Sequence, residues 1–204
     1  MENLLFKRLL PFYIQYQRCA SAGNLYISYY KYVLYKISNY FGKAGYYYPI
    51  PKNCTVVNIH KIYVGYNSPV FRPGCYIQGE GTIQIGNYVQ VAQNVGIVST
   101  NHDVNQLKVK HPAPIIIGDY CWLGMNSVVT AGVTLGPHTI VGAGSVVTKS
   151  FPDGYVVIAG CPAKVIRHLD KKEATPYHNK EEYYGFLSKE EFQAKYEFRD
   201  KESL

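Results

Sequence analysis

The chain is short of charge, of sulfur and of long apolar runs. Only 17% of its residues are charged. No stretch of about 18 consecutive apolar residues occurs, so no transmembrane helix is expected. The opening MENLLFKRLLPFYIQYQRC is too interrupted in its apolar part for a secretory signal, which makes a cytoplasmic protein the expectation. Five cysteines, Cys19, Cys54, Cys75, Cys121 and Cys161, are an odd number without CxxC spacing. That argues against a disulfide framework and for reduced, packed thiols. Charges are scattered and no nucleic-acid recognition motif is present, so nucleic-acid binding is not expected. The run Gly142-Ala143-Gly144 lacks the strand–turn–helix setting of a dinucleotide fingerprint.

Tyrosine, by contrast, is abundant: 21 of 204 residues, eleven of them in the first 50. The net charge of +7 is uneven. Residues 1–50 carry six basic side chains against one acidic, residues 51–167 eight against four, and residues 168–204 seven against nine. A basic segment rich in Tyr, Leu and Ile suits either a peripheral membrane contact or an aromatic cap on the rest of the protein. The cap is the favoured reading, because the open end of a repeat array must be covered.

The most regular feature is a period of six. Ile117, Leu123, Val129, Leu135, Val141 and Val147 follow one another at that spacing, and four of them are followed directly by Gly. Four residues after the aliphatic stands a small or β-branched residue: Cys121, Ser127, Val133, Thr139, Ser145. Six matches neither the 3.6 of a helix nor the alternation of a strand. It implies one apolar side chain entering a core per short extended segment, with glycine allowing a sharp bend before the next. Stacked coils of this kind form a parallel β-helix. Ile85, Val91 and Ile97 hold the same register upstream, with a rougher start at Val64 and Val70. From Ile97 to Ile117 the step is twenty, two more than three repeats. The polar segment STNHDVNQLKVKHPAP therefore reads as a loop pushed out of the wall, and loops on rigid scaffolds are where function concentrates.

The expected organisation is thus mainly β: a helical, Tyr-rich segment over residues 1–50, a coil over 51–167, and a charged tail over 168–204 with a short amphipathic helix. In FPDGYVVIAGCPAKVIRH, turn residues precede one last apolar run, which suggests a strand closing the coil.

Within this pattern, WLGMNSVVTAGVTLGPHTIVGAGSVVTKSFPDGYVVIAGCPAKVIR resembles the C-terminal coil of the hexapeptide-repeat O-acetyltransferases, near the galactoside, maltose and polysaccharide-modifying members. The resemblance runs from about Cys54 to Arg167 and rests on a TxH loop, IGDxCWLG and GxPAKVIR in combination. It implies a left-handed triangular prism, although right-handed crossovers are the general rule. It also implies a homotrimer with active sites between subunits, acetyl-coenzyme A as donor, and a sugar hydroxyl as acceptor in surface polysaccharide or lipopolysaccharide synthesis. Carbonic-anhydrase-like members of this fold hold zinc with a close HxxxxH pair; His102 and His111 stand nine apart and no such pair occurs, so no metal is expected. Serine or an antibiotic as acceptor, and a catalytically silent scaffold, are the alternatives. A scaffold should have lost the base or the coenzyme cations.

His102 matches the family's catalytic histidine. Removing a proton from an alcohol as it attacks a thioester calls for a base that titrates near neutrality, which suits imidazole. His111 is the rival within the same loop. Asp103 is a candidate to orient the ring; His60, His138, His168 and His178 are read as surface residues. Trp122, the only Trp, takes an outward position and, by resemblance, lines the acetyl and acceptor pocket. The family's oxyanion donor maps onto the Met125 backbone N–H. Ala143, Thr148, Lys149, Lys164 and Arg167 match positions that meet the coenzyme, the cations facing its phosphates. Glu80 falls near an acidic acceptor contact, and Arg72 stands where the galactoside enzymes carry Asn.

Overall fold

The computed structural model describes Tyr48, residues 50–179, Gly185 and residues 189–196. The expected helical segment over residues 1–50 lies almost wholly outside them. The chain winds into a prism with three walls. The first wall contains β1 (Thr55–Val57), β3 (Tyr76–Gln78), β6 (Gly96–Val98), β11 (Val128–Thr130) and β14 (Val146–Val147). The second contains β2 (Ile62–Val64), β4 (Ile83–Ile85), β9 (Ile115–Ile117) and β12 (Thr134–Leu135). The third contains β5 (Gln90–Val91), β10 (Trp122–Leu123), β13 (Ile140–Val141), β15 (Val156–Gly160) and β16 (Ala163–His168). Every pairing in the walls is parallel except β15 with β16, which form a closing hairpin at the edge of the third wall.

The six-residue period is what packs this prism. The aliphatics of the ladder from Ile117 to Val147 are at most 1% exposed, and so are Cys121, Ser127, Val133, Thr139 and Ser145. The inward polar residues are satisfied locally: Ser127 Oγ donates to Gly124 O at 2.7 Å, and Thr139 Oγ1 to Gly136 O at 2.7 Å. Buried hydroxyls without such partners would be costly. Cys121, Cys54 and Cys75 are buried and unbridged, while Cys161 is exposed. Burial pushes the Cys54 and Cys121 thiols up to about 12. At Gly118 a Cβ would lie 2.8 Å from Pro137 N of the next coil, so the backbones approach too closely for any side chain there.

The interruption after Ile97 has a different form from the one its spacing suggests. Leu123 pairs with Val141, 18 positions on, but with Val91, 32 positions back. The step of twenty therefore contains one repeat and fourteen extra residues, not three repeats with a slip. Those residues form an antiparallel hairpin, β7 (Thr100–His102) with β8 (Lys110–Pro112), rather than an irregular loop. It leaves the prism at the corner between the first and second walls.

The opposite ends of the prism are tied by the tail. At the corner between the second and third walls, Tyr88, Tyr120, His138 and Tyr155 all have positive φ, a conformation bulky side chains rarely take. Their rings stack coil upon coil with centroids 5.1, 4.9 and 4.9 Å apart, the spacing of the β-ladders beneath them. His138, read from sequence as a surface residue, is half-buried in this column, where burial lowers its pKa. The tail runs back across the column. Tyr120 Oη donates to Tyr177 O at 3.2 Å, and Asn179 N to Tyr88 Oη at 3.0 Å. Further on lies α1 (Lys189–Tyr196), the expected short helix, whose Phe192 is fully buried with its ring 5.7 Å from that of Tyr63 in the first coils. No helix among the described residues is long and apolar enough to cross a membrane.

Coils of a solenoid contact only their neighbours, so this strap adds a contact between coils that do not otherwise meet among the described residues. Replacing Phe192 with Ala should cost about 3 kcal/mol in urea unfolding. The accompanying gain in amide exchange should fall on β2 and spare β14.

Candidate active site

His102 ends β7 and projects from the hairpin, exposed. Its Nδ1 lies 2.5 Å from the carbonyl oxygen of Leu107. A carbonyl can only accept, so Nδ1 carries the proton and the neutral ring has its basic lone pair on Nε2. That tautomer is the one a general base needs, and a backbone carbonyl sets it.

Asp103 contacts other partners. In an antiparallel pair, residues opposite one another share a face and successive residues alternate. His102 is opposite Lys110, and Asn101 is opposite His111. Asp103, hydrogen-bonded through its N–H to Val109 O at 2.9 Å, falls on the His111 face, away from the His102 ring. Its carboxylate accepts from Asn105 N at 2.8 Å, Gln106 N at 2.9 Å and His111 Nε2 at 3.2 Å. Asp103 thus closes the tight turn at the tip, from which Leu107 presents its carbonyl to His102. His111, the rival base, is engaged with this carboxylate.

The other candidates occupy different edges of the prism. Glu80, the hairpin, Thr148 and Lys149 share the corner between the first and second walls. Lys149 Nζ also sits 5.8 Å from the Phe151 ring centroid. Met125 and Ala143 are one coil apart at the corner between the third and first walls, joined by a 2.8 Å bond from Gly144 N to Met125 O. The Met125 N–H meets no acceptor among the described residues. Trp122, 53% exposed, faces outward from the third wall, in lateral register with Ile140, then Val157, then Arg167. Three strand spacings separate Trp122 from Arg167, roughly 14 Å. Lys164, opposite Ala159, is exposed on the same closing hairpin. Arg72 has turned its Nε onto Val91 O at 3.2 Å. One chain therefore brings Trp122, Met125, Ala143, Lys164 and Arg167 to one side and holds His102 on another.

The Leu107 carbonyl and the Lys110–Glu80 contact have no spacing or motif that would reveal them in sequence. The positive-φ aromatic column had a legible signal: Tyr88 and Tyr120, then His138, occupy the same place in their repeats.

Several known proteins are similar to this chain over the coil. Residues 114–149 match the bacterial transferase hexapeptide family, six repeats. The galactoside O-acetyltransferase of Escherichia coli K12 is 39% identical over 100 residues, covering 47% of this chain and 49% of the relative. A second protein of that strain, WcaF, bears the name of a colanic acid biosynthesis acetyltransferase. It is 42% identical over 94 residues, 46% of this chain and 51% of the relative. A galactoside acetyltransferase solved in complex with coenzyme A superposes with a TM-score of 0.55 and 27% identity, covering 90% of both chains. The chain spans about half the length of the sequence relatives it matches. Residues 114–149 thus match the repeat of these transferases, and the fold is a left-handed parallel β-helix.

The Asp103 turn has a definite pH signature. Its carboxyl is held below its ordinary 3.8, chiefly by the Asn105 amide, then by His111 and the Gln106 amide. A depressed folded-state pKa gives a contribution that is complete above the ordinary carboxyl pKa and lost as pH falls through the lower value. The Asn105 and Gln106 amide resonances should therefore hold steady from neutrality down to the ordinary carboxyl range and titrate only below it.

Proposed function

We propose that this chain transfers an acetyl group from acetyl-coenzyme A to a hydroxyl of a sugar, in the synthesis of a surface polysaccharide or lipopolysaccharide. The observation that carries the reading is His102: an exposed imidazole, fixed as the Nδ1–H tautomer by the Leu107 carbonyl, on a hairpin that a bare solenoid does not need. The names of the relatives, a galactoside enzyme and one of colanic acid biosynthesis, point to a sugar acceptor.

The residues on the third wall fit the donor. Lys164 and Arg167 are exposed cations suited to phosphates, Trp122 offers a flat apolar face, and Met125 and Ala143 are exposed residues at the adjoining corner. The coenzyme supplies the acetyl thioester. His102 Nε2 takes the hydroxyl proton as the oxygen attacks. The Met125 N–H would donate to the oxygen on which negative charge develops. Collapse of that tetrahedral intermediate breaks the C–S bond and expels coenzyme A, whose sulfur takes the proton from His102 Nε2.

Because a single chain separates His102 from Trp122, Met125 and Arg167, a complete site on this reading is shared between subunits of a ring. A homotrimer with three such sites satisfies that requirement, each subunit lending its hairpin to a neighbour's third wall.

Two measurements test the reading. His102→Ala should lower acetyl transfer by about 10²–10⁴-fold while coenzyme binding by calorimetry persists; near-normal turnover would remove His102 from the chemistry. Mixing unfolded His102→Ala with a Lys164→Ala/Arg167→Ala variant and refolding them together should recover about a quarter of native activity, the fraction of interfaces pairing two intact halves in a heterologous ring. No recovery would place each site within one chain.

A further inference from the structure

Glu80 resembles, by position, an acidic residue that contacts the sugar in related enzymes, but its surroundings assign it a different task. The turn Gly79-Glu80-Gly81 lies directly beneath the root of the hairpin. Gly81 N donates to Ser99 O at 3.3 Å, and Ala113 N, at the other foot of the hairpin, donates to the same oxygen at 3.0 Å. Ser99 is fully buried. Its Oγ lies 2.7 Å from Gln78 O and 3.0 Å from Gly81 O, its single proton serving one at a time. A Cβ on Gly81 would stand 2.7 Å from Ala113 O, so only glycine lets the turn press this closely on the hairpin feet. Lys61 Nζ, from the coil below, holds the Glu80 backbone carbonyl at 2.9 Å.

On this seat the Glu80 carboxylate reaches the hairpin itself. Lys110 Nζ lies 3.0 Å from Glu80 Oε1. Lys110 is the residue opposite His102 across the hairpin, and opposite residues share a face. The backbone anchors hold the feet of the hairpin, while the ion pair holds the rung that carries His102. Without it that rung can twist about the feet. We propose that Glu80 is a positioning residue. Its carboxylate, through Lys110, fixes the angle at which the hairpin presents His102 to the acceptor hydroxyl. This rests on His102 being the base of an acetyl transfer.

The pair is partly exposed, with side-chain accessibilities of 47% for Lys110 and 28% for Glu80, so its effect is modest and sensitive to salt. Glu80→Gln, Lys110→Met, their double variant and the charge-reversed pair Glu80→Lys/Lys110→Glu make the test. Thiol release from acetyl-coenzyme A is followed with a methyl galactoside and with water alone, beside amide exchange over residues 100–112. Each single variant should lower kcat by about three- to fivefold, with KM for acetyl-coenzyme A unchanged. The double variant should be no slower than either single one. The reversed pair should recover most of the loss, and raising salt to roughly 0.5 M should slow only the native and reversed proteins. Exchange within the hairpin should follow the same pattern, whether or not any acetyl transfer is detected. Glu80→Gln raising only the galactoside KM while Lys110→Met is silent would overturn the proposal in favour of a direct acceptor contact. Independent, multiplying losses in kcat or exchange would overturn it as well.

Discussion

Each coil of this protein has to stack on the one before it in register at the spacing of a β-ladder, and the rest of the structure depends on that constraint. Stacking at just under 5 Å leaves room for one aliphatic side chain per wall segment and for almost nothing at the corners. The inward aliphatics fill the axis, and the glycines at 118 and 136 lie where successive backbones touch. At the corner beside them, side chains that cannot enter are carried outward at positive φ. There Tyr88, Tyr120, His138 and Tyr155 turn an unfavourable conformation into a continuous stack.

A wall this regular tolerates an insertion only at a corner and only if both feet return to register. The hairpin meets that requirement through Ser99, whose buried backbone oxygen takes hydrogen bonds from the turn below and from the returning strand. Its fourteen extra residues thus add an antiparallel ladder of their own without disturbing the parallel one. On the proposed function, rigidity of the support is what makes His102 usable as a base, since a base must be held to within a fraction of an ångström of its substrate. The same geometry explains the division of labour among the charged residues. Asp103 shapes the tip from one face of the hairpin, and Lys110 joins Glu80 from the other.

Much of this was legible beforehand. The period of six predicted the inward residue of every segment from Ile117 to Val147, and the outward exposure of Trp122 followed from its place in the repeat. The break in the period announced an excursion and put His102 within it. Its length was misread, because a spacing of twenty can be divided into repeats in more than one way, and only the pairing of Leu123 with Val91 shows which division the chain adopts. The partners of Asp103, the tip amides and His111, follow from the alternation of strand faces, which can be applied only once the segment is known to be a hairpin. A short helix docked on the body was legible in the tail, but the coils it reaches and the contact of Tyr177 with Tyr120 were not, because the tail has no period of its own.

What the sequence by itself determined was the coil: its core, its corners, the presence of a closing strand and the point at which it is interrupted. These follow from a short repeat whose every unit meets the same neighbours, so local pattern and final contact coincide. That the closing strand is half of an antiparallel hairpin came from the fold. Only the tertiary structure decided which nitrogen of His102 is basic, what Asp103 and Glu80 hold, and on which edge each functional residue stands. Those outcomes join Leu107 to His102, Lys110 to Glu80 and Tyr177 to Tyr120. Such contacts are set by the path of the folded backbone, and no spacing along the chain encodes them.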